Sequence, residues 1–235
     1  MTTTPRVYSV VLDWLEEQLR SGEIVIGDKL PGERALAEQF GISRASVREA
    51  TRILDAMGLV RSAVGSGPNA GAIVISEPSA ALAWALRMHV ATRALPVRDL
   101  VQTRLLLETQ AARDAAAAPD SAERTDTLTR AGEILDHMDH PGLPAAEFHS
   151  LDAQFHILLT SLAGNVVVET MMSSLREATI GYIQEMVATL PDWPAISRTL
   201  QEQHREILGA VEKREGERAA DLLRDHITWF SQLGS

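Results

Sequence analysis

Four side chains with metal-binding chemistry stand in the second half of the chain. Asp152 and His156 are four residues apart in LDAQFHILL, a spacing that places a carboxylate and an imidazole side by side on a helix. His204 and His226 stand among apolar residues in two later helical segments. Three bundle helices that direct such groups inward can hold a divalent ion, and neutral imidazoles with one carboxylate suit Zn²⁺, Ni²⁺ or Mn²⁺. Taken singly, His204 and His226 also fit ordinary hydrogen-bonded histidines at the edge of a core. Asp152 and His156 also fit a hydrogen-bonded pair on the surface of a helix.

A second candidate site is a row of arginines in SRASVREATRILDAMGL. Arg44 and Arg48 fall in the first turns of the predicted helix, with Ser46 between them, where side chains can reach guanine edges or phosphates in the major groove. Arg52 falls further along, at the phosphate edge or in solvent. The alternative is a solvated helix face laced by ion pairs, but the turn and the hairpin around this helix favour the DNA interpretation.

The arginines require a scaffold, which the N-terminal third of the sequence predicts. Helical periodicity indicates one helix over residues 6–20, a second over ERALAEQF, and a third with Ser43 as its N-cap and its end at Gly58. The predicted apolar face of the first helix is Val7, Val10, Val11, Trp14, Leu15 and Leu19. LVRSAVGSGPNAGAIVIS then changes to β-branched stretches around a turn, which predicts a small hairpin. Three helices and a hairpin make a winged helix-turn-helix over residues 1–76. The predicted buried stripe of its third helix is Val47, Ala50, Ile53, Leu54 and Met57.

Residues 77–235 contain no strand pattern. Helical stretches punctuated by proline and glycine predict an antiparallel bundle of seven helices, so the whole fold is mainly α. The predicted helices are 79–93, 97–117, 121–139, 144–163, 166–189, 194–213 and 216–233.

Composition restricts the class of protein. The 235 residues include no cysteine, which excludes disulfides and thiolate metal sites, and no apolar run of membrane-spanning length. We therefore expect a cytoplasmic protein with no membrane partner. The net charge of −10 belongs to the second part, because residues 1–76 carry 8 Lys and Arg against 9 Asp and Glu. A local basic face for DNA is compatible with that distribution.

The stretch GDKLPGERALAEQFGISRASVREATRILDAMGLV resembles the N-terminal signature of the GntR family of bacterial transcription regulators. It departs from the family pattern at Gly32, where serine is usual, and in its longer, glycine-rich wing. The resemblance implies that three arginines contact DNA, namely Arg34, Arg44 and Arg48. It implies lesser contacts by Ser43, Ser46 and the wing residue Gly65.

The second part is similar to the FCD domain of the FadR subfamily of these regulators, in RLLLETQAARDAAA, in LDAQFH followed by LAGN, and in QHREILGAVEKREGERAADLLRDHI. In that domain a metal binds in the bundle core. The resemblance carries this role to Asp152, His156, His204 and His226.

The same resemblance gives Arg104 the role of an effector-binding arginine. A guanidinium suits a carboxylate ligand, since it offers a planar pair of donors. A plain ion pair with Glu108 within the helix is the alternative. His149 shares a helix face with Asp152 and is expected to neighbour the ligands or to be exposed. Asn165 is expected to cap a helix.

These observations predict a metabolite-responsive transcription regulator rather than an enzyme. We expect a repressor that binds a palindromic operator in double-stranded DNA as a homodimer, since one winged helix covers only a half-site. The metal expected first is Zn²⁺. A small carboxylate effector bound at this metal would shift the dimer away from its operator-binding form. The alternatives are a regulator that senses the metal itself and a metal-dependent enzyme that activates water. The enzyme is disfavoured because the sequence shows no further acid at general-base spacing.

Overall fold

The computed structural model describes residues 7–63 and 71–233 of the chain. In that part the backbone forms ten helices and two strands. The chain divides into two compact units, Met1–Leu82 and Ala83–Ser235. The structure confirms the predicted fold class, a small winged helix-turn-helix followed by a helical domain.

The N-terminal unit forms its turn and third helix through local capping. Gly41 takes the left-handed conformation (φ 63°) that ends the second helix. The hydroxyl of Ser43 then accepts a hydrogen bond of 3.0 Å from the backbone N–H of Ser46, which starts the third helix at Arg44. The elements are α1 (Ser9–Ser21), α2 (Glu33–Phe40), α3 (Arg44–Ala56) and the antiparallel strands β1 (Val60–Ala63) and β2 (Gly71–Val74).

The buried residues of this unit agree only in part with the predicted apolar faces of its first and third helices. Val47 and Leu54 are buried as predicted. Val7 is 60% exposed and Val10 is 38% exposed, because α1 begins only at Ser9 and its buried face follows Val11 and Leu15. Met57 is 50% exposed, because it is the C-cap residue beyond the last turn of α3 and no longer follows the helical phase.

The second unit contains the helical bundle. Each predicted helix is present, with ends within two residues of the predicted ones. The core is built from apolar residues on the inward faces, with Phe148, Phe155 and Ile207 among the most deeply buried. The first helix, α4 (Pro78–Ala91), begins before Ala83 and so crosses the division between the units. The others are α5 (Val97–Ala117), α6 (Ala122–Met138), α7 (Ala145–Ser161), α8 (Val166–Ala188), α9 (Trp193–Glu212) and α10 (Gly216–Gln232).

Two further features of the bundle follow from its sequence. The Asn165 side chain caps α8, since its oxygen accepts hydrogen bonds from the backbone N–H groups of Val167 and Val168. Across residues 7–63 and 71–233, no helix has both the length and the apolar character needed to cross a lipid bilayer.

Candidate functional site

The four proposed metal ligands converge inside the bundle. Asp152 and His156 come from α7, His204 from α9 and His226 from α10, and one ligand atom of each lies within 4.8 Å of the others. Nε2 of His204 is 3.0 Å from Oδ1 of Asp152, and Nε2 of His156 is 3.6 Å from the same oxygen. All three histidines are buried. The structure thus brings together residues that are up to 74 positions apart in the sequence.

The hydrogen bonding of these histidines fits a bound ion. Nδ1 of His226 is 2.8 Å from Oε1 of Gln203, so Nδ1 carries the proton and Nε2 keeps its lone pair for a metal. Nε2 of His156 and Nε2 of His204 are buried, and although Oδ1 of Asp152 is close to both, neither nitrogen makes a well-aligned hydrogen bond to a described residue. Buried polar atoms without partners are rare, and a Zn²⁺ ion among three imidazoles and one carboxylate would satisfy them.

Two charged residues that the sequence did not assign to this site support the ligands. Oε2 of Glu108 lies 3.0 Å from Nδ1 of His156 and accepts a hydrogen bond of 2.7 Å from Arg176. Arg176 also donates to Oδ2 of Asp152 at 3.0 Å, which turns Oδ1 toward the histidines. A carboxylate behind the far nitrogen of a histidine ligand fixes the orientation of its ring. Glu108 and Arg176 therefore hold two of the four candidate ligands in place.

Burial keeps two of the candidate imidazole ligands, those of His204 and His226, neutral. It lowers the pKa of His226 well below the usual value, and the neighbouring His204 lowers it further. Burial also lowers the pKa of His204, although Asp152 partly offsets this effect. A neutral imidazole is the form that could bind a metal ion.

The two carboxylates of the site are ionised despite their burial. Burial acts to raise the pKa of Asp152, but His156 and Arg176 outweigh it and hold the pKa well below its usual range. For Glu108, burial likewise acts to raise the pKa, and the charges of Arg176 and Arg104 more than reverse that effect. An ionised Asp152 is the protonation state that a metal ligand requires.

A cavity of about 210 Å³ adjoins the cluster, and Asp152 and His226 both line it. Arg104 also lines this cavity, while its Nε donates a hydrogen bond of 2.8 Å to Oε1 of Glu108. The ion pair within α5 is therefore present, and it does not remove Arg104 from the cavity wall. Much of the remaining lining is apolar, including Val101, Ile183, Met186, Leu200, Ile227 and Phe230.

Of the two positions expected for His149, beside the ligands or exposed, the exposed one is wrong, because His149 is buried and lines the same cavity as Asp152 and His226. Its ring centroid lies 5.1 Å from that of Trp193 and 5.9 Å from that of Phe230. Burial lowers the pKa of His149 and keeps it neutral, against a smaller opposing effect of Asp152. Its Nε2 makes no hydrogen bond to any described residue, and the side chain lines the cavity. His149 is buried because the face of α7 that packs into the bundle extends one helical turn before Asp152, the first of the candidate ligands on this helix.

Arg44 and Arg48 of α3 are exposed and share the carboxylate of Glu33. Arg48 donates to Glu33 through Nε at 3.2 Å and through a terminal amino group at 3.1 Å, and Arg44 approaches the same carboxylate at 3.9 Å. The hydrogen bond from Arg48 lowers the pKa of Glu33. Exposed ion pairs contribute about 0–1 kcal/mol, so both guanidinium groups can exchange this carboxylate for another partner at little cost. Glu33 is a neighbour of the arginines that the sequence did not single out.

The other residues predicted to contact DNA lie in different surroundings from Arg44 and Arg48. Arg34 is exposed and lies 3.7 Å from Glu38, one turn along α2. The hydroxyl of Ser43 is used as the α3 cap and lies 3.0 Å from the hydroxyl of Ser46. Gly65 lies outside the described residues.

A winged helix-turn-helix joined in one chain to a helical domain with an internal cavity defines a DNA-binding transcription regulator. Comparison with known families agrees with this class. The family described as bacterial regulatory proteins, gntR family, matches residues 7–68, and the FCD domain matches residues 99–228. The chain therefore belongs to the GntR family of bacterial regulators and carries an FCD domain.

Similar proteins are known from several bacteria. The HTH-type transcriptional regulator LutR of Bacillus subtilis is 30% identical over 215 residues, which cover 89% of this chain and 93% of LutR. The Glc operon transcriptional activator of Escherichia coli is 26% identical, over 94% of this chain and 86% of its own length. The HTH-type transcriptional repressor NanR of Cronobacter sakazakii is 29% identical, over 94% of this chain and 83% of its own length. These relatives confirm that the chain is a transcription regulator and not an enzyme.

A solved structure supports the fold independently. The Streptococcus agalactiae GntR structure superimposes with a TM-score of 0.61 at 22% sequence identity, covering 95% of this chain and 97% of the other. At that identity the likeness concerns the fold alone.

Proposed function

We propose that this protein is a repressor that binds a palindromic operator as a homodimer and is released by a small organic acid bound at a divalent metal. The observation that carries the proposal is the convergence of Asp152, His156, His204 and His226 beside a cavity that Arg104 also lines. We assign DNA recognition to residues 1–76, and effector binding and dimerisation to residues 77–235. Because its target is chromosomal DNA, we place the protein in the cytoplasm.

The metal in this proposal is Zn²⁺, with Ni²⁺ or Mn²⁺ as alternatives. Three neutral imidazoles and one carboxylate are a suitable donor set for these ions. When bound, the ion supplies a positive coordination position for a carboxylate of the effector. Arg104 offers a second positive group at the cavity wall, so an anionic ligand has two points of attachment.

Exposed apolar side chains on three helices of the bundle support the homodimer. Trp84 and Met88 lie one turn apart on α4 and are 60% and 48% exposed, while Leu86 on the same helix packs inward. Leu106 of α5 is 75% exposed, and Val166 of α8 is 73% exposed. Large apolar groups on a surface are typical of association interfaces. A two-fold dimer would present two winged helices to the two halves of a palindrome.

The DNA-binding part of the proposal is tested with a palindrome selected from a random DNA library by the wild-type protein. Replacing Arg44 and Arg48 together by alanine should weaken binding at least about 30-fold, since each of the two arginine contacts with a base contributes about 1–3 kcal/mol. Arg20→Ala is the matched control, because Arg20 is an exposed arginine paired with two acidic residues on α1. Equal losses in both variants, or none in the double variant, would contradict the assignment of α3.

The effector part of the proposal is tested on the same complex. The acid should release the zinc-loaded protein from DNA, and zinc alone should not. Release by zinc alone would show instead that the metal itself is the signal.

A further inference from the structure

The ionised side chains beside the metal cluster balance one another. Asp152 and Glu108 carry two negative charges, and Arg104 and Arg176 carry two positive charges. Hydrogen bonds join them into one network, because Glu108 accepts from both arginines and Arg176 also donates to Asp152. These two acids and two arginines are therefore neutral as a set.

A divalent ion held by Asp152 and three neutral imidazoles changes this balance. It adds two positive charges that no side chain of the network compensates. Among the described residues that line the cavity, Asp152 is the one acid and Arg104 is a buried cation, while Arg98 is exposed and paired with Asp99. Uncompensated charge away from water is costly. A ligand with two negative charges restores neutrality, whereas a monocarboxylate leaves one positive charge in excess.

The cavity also contains donors for a second anionic group. Arg104 uses Nε to bind Glu108, and its terminal amino groups make no hydrogen bond to any described residue. Nε2 of His149 is buried and likewise has no partner in residues 7–63 and 71–233. Both side chains line the cavity. Because native proteins rarely leave buried polar atoms unpaired, Nε2 of His149 is placed for a ligand, and the terminal amino groups of Arg104 on the same cavity wall offer further donors.

We propose that the effector is a small dicarboxylic acid, with one carboxylate on the metal ion and the other bound by Arg104 and His149. The apolar cavity wall, which includes Val101 and Leu200, then faces the carbon chain between the two carboxylates. This inference rests on the proposed function, because it requires an acid that binds at the metal.

Matched pairs of acids test the inference on the zinc-loaded, full-length protein. Calorimetry compares propanoate with malonate, butanoate with succinate, and pentanoate with glutarate, so that each pair shares its carbon number. The best dicarboxylate should bind about 30-fold more tightly than its partner, which is ~2 kcal/mol at ~1.4 kcal/mol per tenfold change. Equal affinities within every pair would overturn the dicarboxylate class and leave the proposed function intact. Failure of all six acids to bind would overturn the proposed effector site itself.

Two substitutions at His149 test the second contact. His149→Phe keeps a ring against Trp193 and Phe230 but removes the donor, and the preference for the dicarboxylate should fall about tenfold. His149→Gln keeps a donor and should retain most of the preference. The ratio of the two affinities is the readout, because a purely structural change would affect both acids alike. His140→Gln, at an exposed histidine, is the matched control. An unchanged ratio in His149→Phe would overturn the role of His149.

Discussion

Glu108 provides the sharpest test of how the bundle supports its metal site. We consider Glu108→Gln, which preserves the shape of the side chain and removes its charge. Glu108 is 2% exposed, and its carboxylate lies 2.7 Å from Arg176, 2.8 Å from Arg104 and 3.0 Å from Nδ1 of His156. The substitution therefore leaves two buried guanidinium groups with one fewer compensating charge, and it weakens the group that orients His156.

The magnitude follows from these contacts. Removing one partner of a buried ion pair costs about 3–5 kcal/mol, because the remaining charge stays buried and unpaired. Glutamine still accepts one hydrogen bond, so we expect the lower end, about 3 kcal/mol. Loss of the carboxylate behind a metal-binding histidine lowers metal affinity about 10- to 100-fold. Both effects should occur together in this one variant.

Two assays measure these effects. Urea unfolding of the zinc-free protein gives the change in the free energy of unfolding, and competition with a coloured chelator gives the zinc affinity. Asp126→Asn is the matched control, because Asp126 forms an exposed pair with Arg130 at 3.9 Å on α6 and should contribute less than about 0.5 kcal/mol. Wild-type zinc affinity in Glu108→Gln, or a stability loss no larger than that of Asp126→Asn, would refute this reasoning.

Three further predictions concern stability. Because burial lowers the pKa of His204 and His226 below 6.5, the unfolded chain takes up protons that the folded bundle does not. The stability of the zinc-free protein should therefore fall as the pH drops below 6.5, by up to ~1.4 kcal/mol per pH unit for each histidine, in urea unfolding at stepped pH. Arg124→Leu should destabilise the bundle by about 2–6 kcal/mol in the same assay, because the buried guanidinium satisfies two backbone carbonyls, and should leave zinc affinity unchanged. Ser43→Ala should cost about 1 kcal/mol in thermal unfolding of the N-terminal unit through loss of the α3 cap.

The sequence predicted the elements well because their signals are local. Gly41 and Ser43 fix the turn between α2 and α3 through backbone conformation and one capping hydrogen bond, and both are visible in the sequence. Val7 and Met57 are exposed although the apolar periodicity of the sequence includes them, because they lie just outside the ends of α1 and α3. A pattern of apolar residues therefore locates helices better than it locates their ends.

The candidate site was predictable only in part, because its supporting contacts are not local. The pair of Arg104 and Glu108 follows from a spacing of four residues on one helix. The contact of Arg176 with Glu108 joins residues 68 positions apart, and the sequence SSLREAT does not distinguish a buried arginine from an exposed one. The burial of His149 depends on how α7 turns within the bundle, which no single helix specifies.

Operator affinity measured with and without the acid, before and after removal of the metal, tests the central claim most directly. We predict that the tightest-binding acid weakens operator binding by the zinc-loaded protein and has no effect once a chelator has removed the metal. The same effect of the acid on both forms, or no effect on the zinc-loaded form, would contradict regulation through a metal-bound effector.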